Sequence, residues 1–194
     1  MSFLESLQKK KDTLRSTETT VRTSAGDVYL EKKNKKGDSV LEKVDRGPGY
    51  VVDMKPDLQV AEVLPGLLMG SQDVAQDEEL VKYHGITHIL SVGVTVKDIP
   101  GVRHTYIEAL DLPEFDMNIV FDECTRIIND EIKSKGVIYV HCNAGVSRSA
   151  SVIIAYLMKT ERIHYLTAYE RLKMIRPCIK PNEGFITQLL LFDG

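Results

Sequence analysis

Within Val140-His-Cys-Asn-Ala-Gly-Val-Ser-Arg-Ser149 a cysteine and an arginine stand six residues apart, with histidine before the first and serine after the second. These residue types suit hydrolysis of phosphate esters through sulfur. A hydrophobic run, Gly136-Val-Ile-Tyr-Val140, predicts a short buried strand, and Ser149-Ala-Ser-Val-Ile-Ile-Ala-Tyr-Leu-Met158 predicts a helix. A tight turn between them gathers backbone N–H groups around one point, with the positive end of the helix behind. Asn143, Ala144, Gly145, Val146 and Ser147 are therefore expected to cradle a phosphate group together with Arg148. The same cradle favours a thiolate over a thiol, so Cys142 is expected to be an ionised nucleophile. Arg148 can grip two phosphate oxygens in a bidentate fork, which lysine cannot reproduce. His141 is placed to orient the loop by hydrogen bonding rather than by taking a proton, and Ser149 to donate a hydrogen bond to the departing sulfur. A lone cysteine after a strand is more often an inert core residue. The histidine, glycine, arginine and apolar helix around this one outweigh that reading.

The surrounding chain must hold this loop still. From about residue 56 strand and helix signals alternate: strands over 59–63 and 67–71 around Pro65-Gly66, a helix over 74–84, and strands over 87–92 and 104–110. An amphipathic helix is expected over 118–135, with Ile119, Val120, Cys124, Ile127, Ile128 and Ile132 at helical spacing. Helices are also expected over 165–175 and 183–192. This alternation predicts an α/β fold, a single domain with a central, mostly parallel sheet flanked by helices. The loop then lies where such sheets place ligands, at the carboxyl end of a central strand. Residues 1–55 read as an N-terminal extension packed on a catalytic domain of 56–194. That extension holds a short amphipathic helix over 2–15 and a hairpin of Thr20-Val-Arg-Thr23 with Asp27-Val-Tyr-Leu-Glu31. Its basic clusters read better as a solvated face than as a docking peptide.

His141-Cys142-x5-Arg148-Ser149 resembles the signature of the cysteine-based protein phosphatases. Ala155-Tyr-Leu-Met158, Arg176-Pro-x3-Pro-Asn-x-Gly-Phe185, Leu67-Leu-Met-Gly-Ser-Gln-Asp-x-Ala75 and Gly85-Ile-Thr-His-Ile-Leu-Ser-Val92 are similar to segments of its atypical dual-specificity branch. The resemblance implies hydrolysis of phosphotyrosine and phosphoserine or phosphothreonine through a phosphocysteine. It further implies a general acid on a loop about thirty residues before the cysteine. Asp111, in Leu110-Asp-Leu-Pro-Glu-Phe115, matches that position; spacing alone leaves it equally a turn cap, with Glu114 and Asp116 as competitors. Mitogen-activated kinases or their upstream kinases are the substrates it suggests, in cytoplasm and nucleus. A kinase scaffold with incidental catalysis is the rival reading, disfavoured by the intact Cys142, Arg148 and Asp111. The absence of tryptophan excludes the Trp-Pro-Asp acid loop of the larger tyrosine-specific relatives. The uncharged Asn143, Ala144 and Val146 argue against a lipid substrate. Tyr156, Met158, Lys159 and Arg176 are expected to border the pocket.

The net charge of −3 gives no reason to expect a nucleic-acid partner, and an RNA triphosphatase is disfavoured on the same ground. No membrane span is expected, nor a secretory leader or myristoyl anchor, since Ser2 stands where myristoylation requires glycine. Cys124, Cys142 and Cys178 form no disulfide framework, which fits a reducing compartment. Cys124 or Cys178 could resolve an oxidised Cys142, although an inert role is the better expectation for each. The five histidines lack metal-ligand spacing, so no metal or other cofactor is expected.

Overall fold

A computed structural model describes residues 17–22, 27–33, 39–46 and 56–192. The chain divides into two compact units, 1–55 and 56–194. In the first, β1 (Thr17–Arg22), β2 (Asp27–Lys33) and β3 (Ser39–Arg46) form an antiparallel sheet in that order. β1 and β2 realise the expected hairpin with Thr20 opposite Leu30. β3 pairs with β2 beyond the expected hairpin, and a bulge at Val28/Tyr29 interrupts its register with β2. The helix expected over 2–15 lies outside the described residues.

The second unit is built on a five-stranded sheet. β4 (Ala61–Leu64) turns at Gly66 into antiparallel β5 (Leu67–Gly70). β6 (His88–Val92), β7 (Arg103–Ile107) and β8 (Ile138–His141) complete the order β4-β5-β8-β6-β7, with β5, β8, β6 and β7 mutually parallel. β8 therefore runs between two parallel neighbours, and every residue in it is buried, as expected for a strand covered on both faces. Side-chain alternation assigns the faces. Leu67, Met69, Leu90, Val92, Ile138 and Val140 join the larger core, whereas Leu68, Ile89 and Tyr139 join the smaller one.

The smaller face is covered by α1 (Gln72–Ala75) and α2 (Glu78–Tyr83), through Val74, Ala75 and Val81. Sequence periodicity suggested one helix over 74–84, but two form because both starts are capped. Ser71 Oγ accepts from Asp73 N–H, and Asp77 Oδ1 accepts from Glu79 and Leu80 N–H. The larger face carries α3 (Asn118–Lys133), α4 (Arg148–Glu161), α5 (Tyr165–Ile175) and α6 (Glu183–Leu191). α4 is buried from Ser149 to Met158, so it is the central helix of this layer rather than an amphipathic surface one. α3 buries Val120, Phe121, Cys124 and Ile128 but leaves Ile119 exposed.

The carboxyl ends of β5, β6, β7 and β8 converge. They deliver Ser71, Gly93, Asp111 and Cys142 to one rim of the sheet.

Candidate active site

The loop leaving β8 begins at Cys142, whose side chain is buried, and ends at Ser147, the residue before α4. All six carbonyl oxygens from Cys142 to Ser147 are tied to groups outside the loop's centre. Cys142 O accepts from His141 Nδ1 (3.0 Å), Asn143 O from Gln72 N–H (2.9 Å), and Ala144 O from Arg176 Nη2 (3.0 Å). Gly145 O accepts from Arg176 Nε (2.9 Å), Val146 O from Lys180 N–H (2.9 Å), and Ser147 O from Ser151 N–H and Oγ (2.9 Å each). In a planar trans peptide the C=O of one residue and the N–H of the next point in opposite directions. Pinning six successive carbonyls outward therefore turns the N–H groups of residues 143–148 toward the loop's centre. Among the described residues, none of the N–H groups of 143–147 finds a protein acceptor. Gly145 makes the turn possible: its φ is +66°, and a Cβ there would strike the Gly70 carbonyl.

Arg148 opens α4 and folds back toward this centre. Its Nη1 donates to Gly93 O (2.8 Å) and Ala109 O (3.3 Å), which fixes the guanidinium plane. Its Nε is buried and, among the described residues, has no hydrogen-bond partner. Buried donors are rarely left unmatched, and one that is unmatched asks for a ligand. Gly93 permits the approach, since a Cβ at its φ of +71° would collide with both the Ala109 carbonyl and Arg148 Nη1.

Ser149 Oγ lies 3.2 Å from Cys142 Sγ, so the two can share a hydrogen bond. His141 is fully buried, and burial pushes its imidazole down to about 4; the nearby His104 and Arg148 add to this against the raising effect of the bond to Cys142. The ring is neutral at pH 7. Since a carbonyl can only accept, Nδ1–H donates to Cys142 O, and Nε2 accepts from the Ser91 hydroxyl at 2.7 Å. His141 thus ties the start of the loop to Ser91 of β6.

Asp111 stands on the wall of the loop, its side chain 37% exposed. Oδ1 accepts from Ser147 Oγ and Asn182 Nδ2, both at 2.8 Å, while Oδ2 lies 3.6 Å from Arg148 Nε. Ser147 Oγ also accepts from Asn182 N–H (3.1 Å), so Asn182 braces both partners before capping α6. Oδ1 is thus occupied twice, while Oδ2 accepts no hydrogen bond among the described residues. Neither Glu114 nor Asp116 shares in these contacts, and Asp116 bonds to Asn118 at the start of α3.

Several expectations fail. Tyr156, Met158 and Lys159 do not border the loop, because a helix rises about 1.5 Å per residue and Tyr156 is two turns beyond Arg148. The Tyr156 hydroxyl donates to Asn129 and Lys159 bonds Asp122, while Met158 lines a separate cavity with Leu166 and Leu189. Arg176 contacts the loop from behind rather than from the pocket side. Sequence reading gave no role to Ser91 or Asn182, although both lie inside segments that carry the resemblance. Cys124 is buried in α3 and its thiol is pushed up to about 12, burial being the main cause and Glu123 the lesser. Cys178 is exposed.

Residues 67–194 match the family described as Dual specificity phosphatase, catalytic domain. The chain belongs to the dual specificity phosphatases, and is a protein phosphatase. It is similar to dual specificity protein phosphatase 19 of Mus musculus, with 41% identity over 188 residues, covering 94% of this chain and 86% of that protein. The MAP kinase phosphatase with leucine-rich repeats protein 3 of Dictyostelium discoideum is 37% identical over 137 residues, which are 69% of this chain and 16% of that one. Among solved structures, DUSP15 superposes with a TM-score of 0.66 and 32% identity, over 69% of this chain and 86% of the other.

Proposed function

We propose that this chain hydrolyses phosphotyrosine and phosphoserine or phosphothreonine in proteins by two displacements at phosphorus. In the first, Cys142 Sγ attacks, the ester oxygen leaves with a proton from Asp111 Oδ2, and a phosphocysteine forms. In the second, Asp111 takes a proton from water, water attacks phosphorus, and sulfur departs with a hydrogen bond from Ser149. Arg148 Nε and the inward amides of 143–148 hold the three phosphoryl oxygens throughout. Donors fixed before the substrate arrives need no reorganisation as charge shifts onto those oxygens.

One observation carries this reading: six carbonyls are turned out around a buried thiol, beside a buried guanidinium nitrogen that has no hydrogen-bond partner among the described residues. Relatives named for MAP kinases support mitogen-activated kinases or their upstream kinases as substrates of this chain too. Three free cysteines support a cytoplasmic or nuclear location.

The test is hydrolysis of phosphotyrosyl and phosphothreonyl peptides, with vanadate as inhibitor. Wild type should cleave both and be inhibited, whereas Cys142→Ser should cleave neither. Turnover by Cys142→Ser equal to wild type would overturn the mechanism.

A further inference from the structure

We infer that Arg176 is a positioning residue for the oxyanion cradle and that Asp57, at the start of the catalytic unit, sets it in place. This deepens the phosphatase reading above and rests on it.

Arg176 follows α5 and is only 2% exposed. Full burial of a guanidinium is costly unless its donors are matched. Here every nitrogen is used. Nε and Nη2 take the carbonyls of Gly145 and Ala144, Nη1 donates to Gln59 O (3.4 Å), and Nη2 also meets Asp57 Oδ2 at 2.5 Å. By the planarity argument, the two loop bonds aim the N–H groups of Gly145 and Val146 inward. One guanidinium thus sets two of the cradle's donors, from the side opposite Arg148.

Asp57 is the carboxylate paired with this buried charge, and its own place is well determined. Its N–H donates to Asp73 Oδ2 (2.9 Å), its Oδ1 accepts from Gln59 N–H (3.1 Å), and its carbonyl accepts from Ser71 Oγ (2.7 Å). Ser71 caps α1, whose first residue, Gln72, holds Asn143 O. The segment 57–59 therefore reaches three of the loop's six tethers, two through Arg176 and one through Ser71 and Gln72. A change in its conformation would be felt as a change in oxyanion affinity.

Geometry and charge make opposite forecasts. If Asp57 mattered only as a negative charge near the site, its removal would strengthen anion binding. If it positions Arg176, its removal loosens the fork and weakens binding. The experiment measures tungstate affinity by calorimetry, together with kcat, KM and the thermal midpoint, on the full chain. For Asp57→Asn, tungstate Kd and KM should rise about tenfold, while kcat stays within about threefold. Asp57→Glu, which keeps the carboxylate, should recover part of the loss. Arg176→Lys keeps the charge but not the fork, and should weaken tungstate at least as much. Asp57 is partly exposed, so its variants should fold even where Arg176→Lys does not.

Unchanged or tighter tungstate binding by Asp57→Asn would overturn the inference, whatever its thermal midpoint. A wild-type chain that neither binds tungstate nor hydrolyses phosphopeptides would instead bring down the phosphatase reading, and this inference with it.

Discussion

Two polar clusters are buried at opposite ends of the same sheet, and they are finished differently. At the amino end, Glu131 of α3 is 3% exposed. Thr87 Oγ1 donates to its Oε1 (2.6 Å), while Arg103 Nη1 (2.8 Å) and His88 Nδ1 (3.2 Å) meet its Oε2. His88 Nε2 then pairs with Thr105 Oγ1 at 2.8 Å, and Val137 N–H donates to Thr87 Oγ1. Burial holds the His88 imidazole below its ordinary value despite Glu131. Burial pushes the Glu131 carboxyl up, but Thr87, Arg103 and His88 outweigh it and leave it below the usual carboxylate range. Both carboxylate oxygens and both ring nitrogens are matched within the protein. At the carboxyl end, the carbonyls are matched with equal care, yet among the described residues Arg148 Nε has no hydrogen-bond partner and the loop amides face the loop's centre. A network that closes on itself ties β6, β7, β8 and α3 together. A network left open on one side, by atoms of a single kind, is a binding site for the opposite kind.

This contrast can be broken from either end. The largest effect is expected from Cys142→Ser, which should lower phosphopeptide turnover by roughly 10⁶-fold, comparable to loss of the nucleophile in other covalent enzymes. Its thermal midpoint should stay close to wild type. Asp111→Asn should reduce turnover of a phosphotyrosyl peptide by roughly 10²–10⁴ and leave tungstate affinity within a few fold. An unchanged rate would mean that another group supplies the proton. Glu131→Ala attacks the closed cluster instead. Urea titration should show about 2–4 kcal/mol less stability, while kcat/KM of the folded enzyme moves by less than about twofold, because no part of that cluster touches the loop.

A smaller effect follows from His141. Its folded-state value, about 4, lies below the ordinary 6.5. Between these values the unfolded chain binds a proton that the folded chain excludes, so stability is full at neutral pH and falls as pH drops below about 6.5. Urea titrations at pH 7 and pH 5 should differ by about 2 kcal/mol from this residue alone. His88, whose imidazole burial also holds low, adds to the loss in the same window, and Glu131, whose carboxyl is held low, adds only at still lower pH. A flat profile from pH 7 to 5 would show that His141 titrates normally and is not locked as the neutral tautomer.

What could be read in the sequence follows the reach of each contact. Cys142, Arg148, His141 and Ser149 lie within nine residues, so strand, loop and helix periodicity place them directly. Asp111 bonds across 36 positions to Ser147 and was legible only because the chain resembles a family with a known acid loop. Ser91, 50 positions from His141, stands inside a segment that carries the family resemblance, and Asp57 lies 119 positions from Arg176, yet nothing beside either residue tells which partner it meets. Tertiary folding alone brings them to the site. Parallel strands and the central helix were legible from apolar runs; the break at Gln76-Asp77 was not, since a capping carboxylate overrode the helical period.

The central claim is that sulfur at position 142 becomes covalently phosphorylated inside a preformed oxyanion cradle. Rapid acid quenching of wild-type chain during turnover of a radiolabelled phosphopeptide, followed by peptide mapping, tests it most directly. Label should sit on the peptide containing Cys142, as phosphocysteine, and should be absent from Cys142→Ser. Steady turnover with no label on that peptide, or label on another residue, would contradict the account.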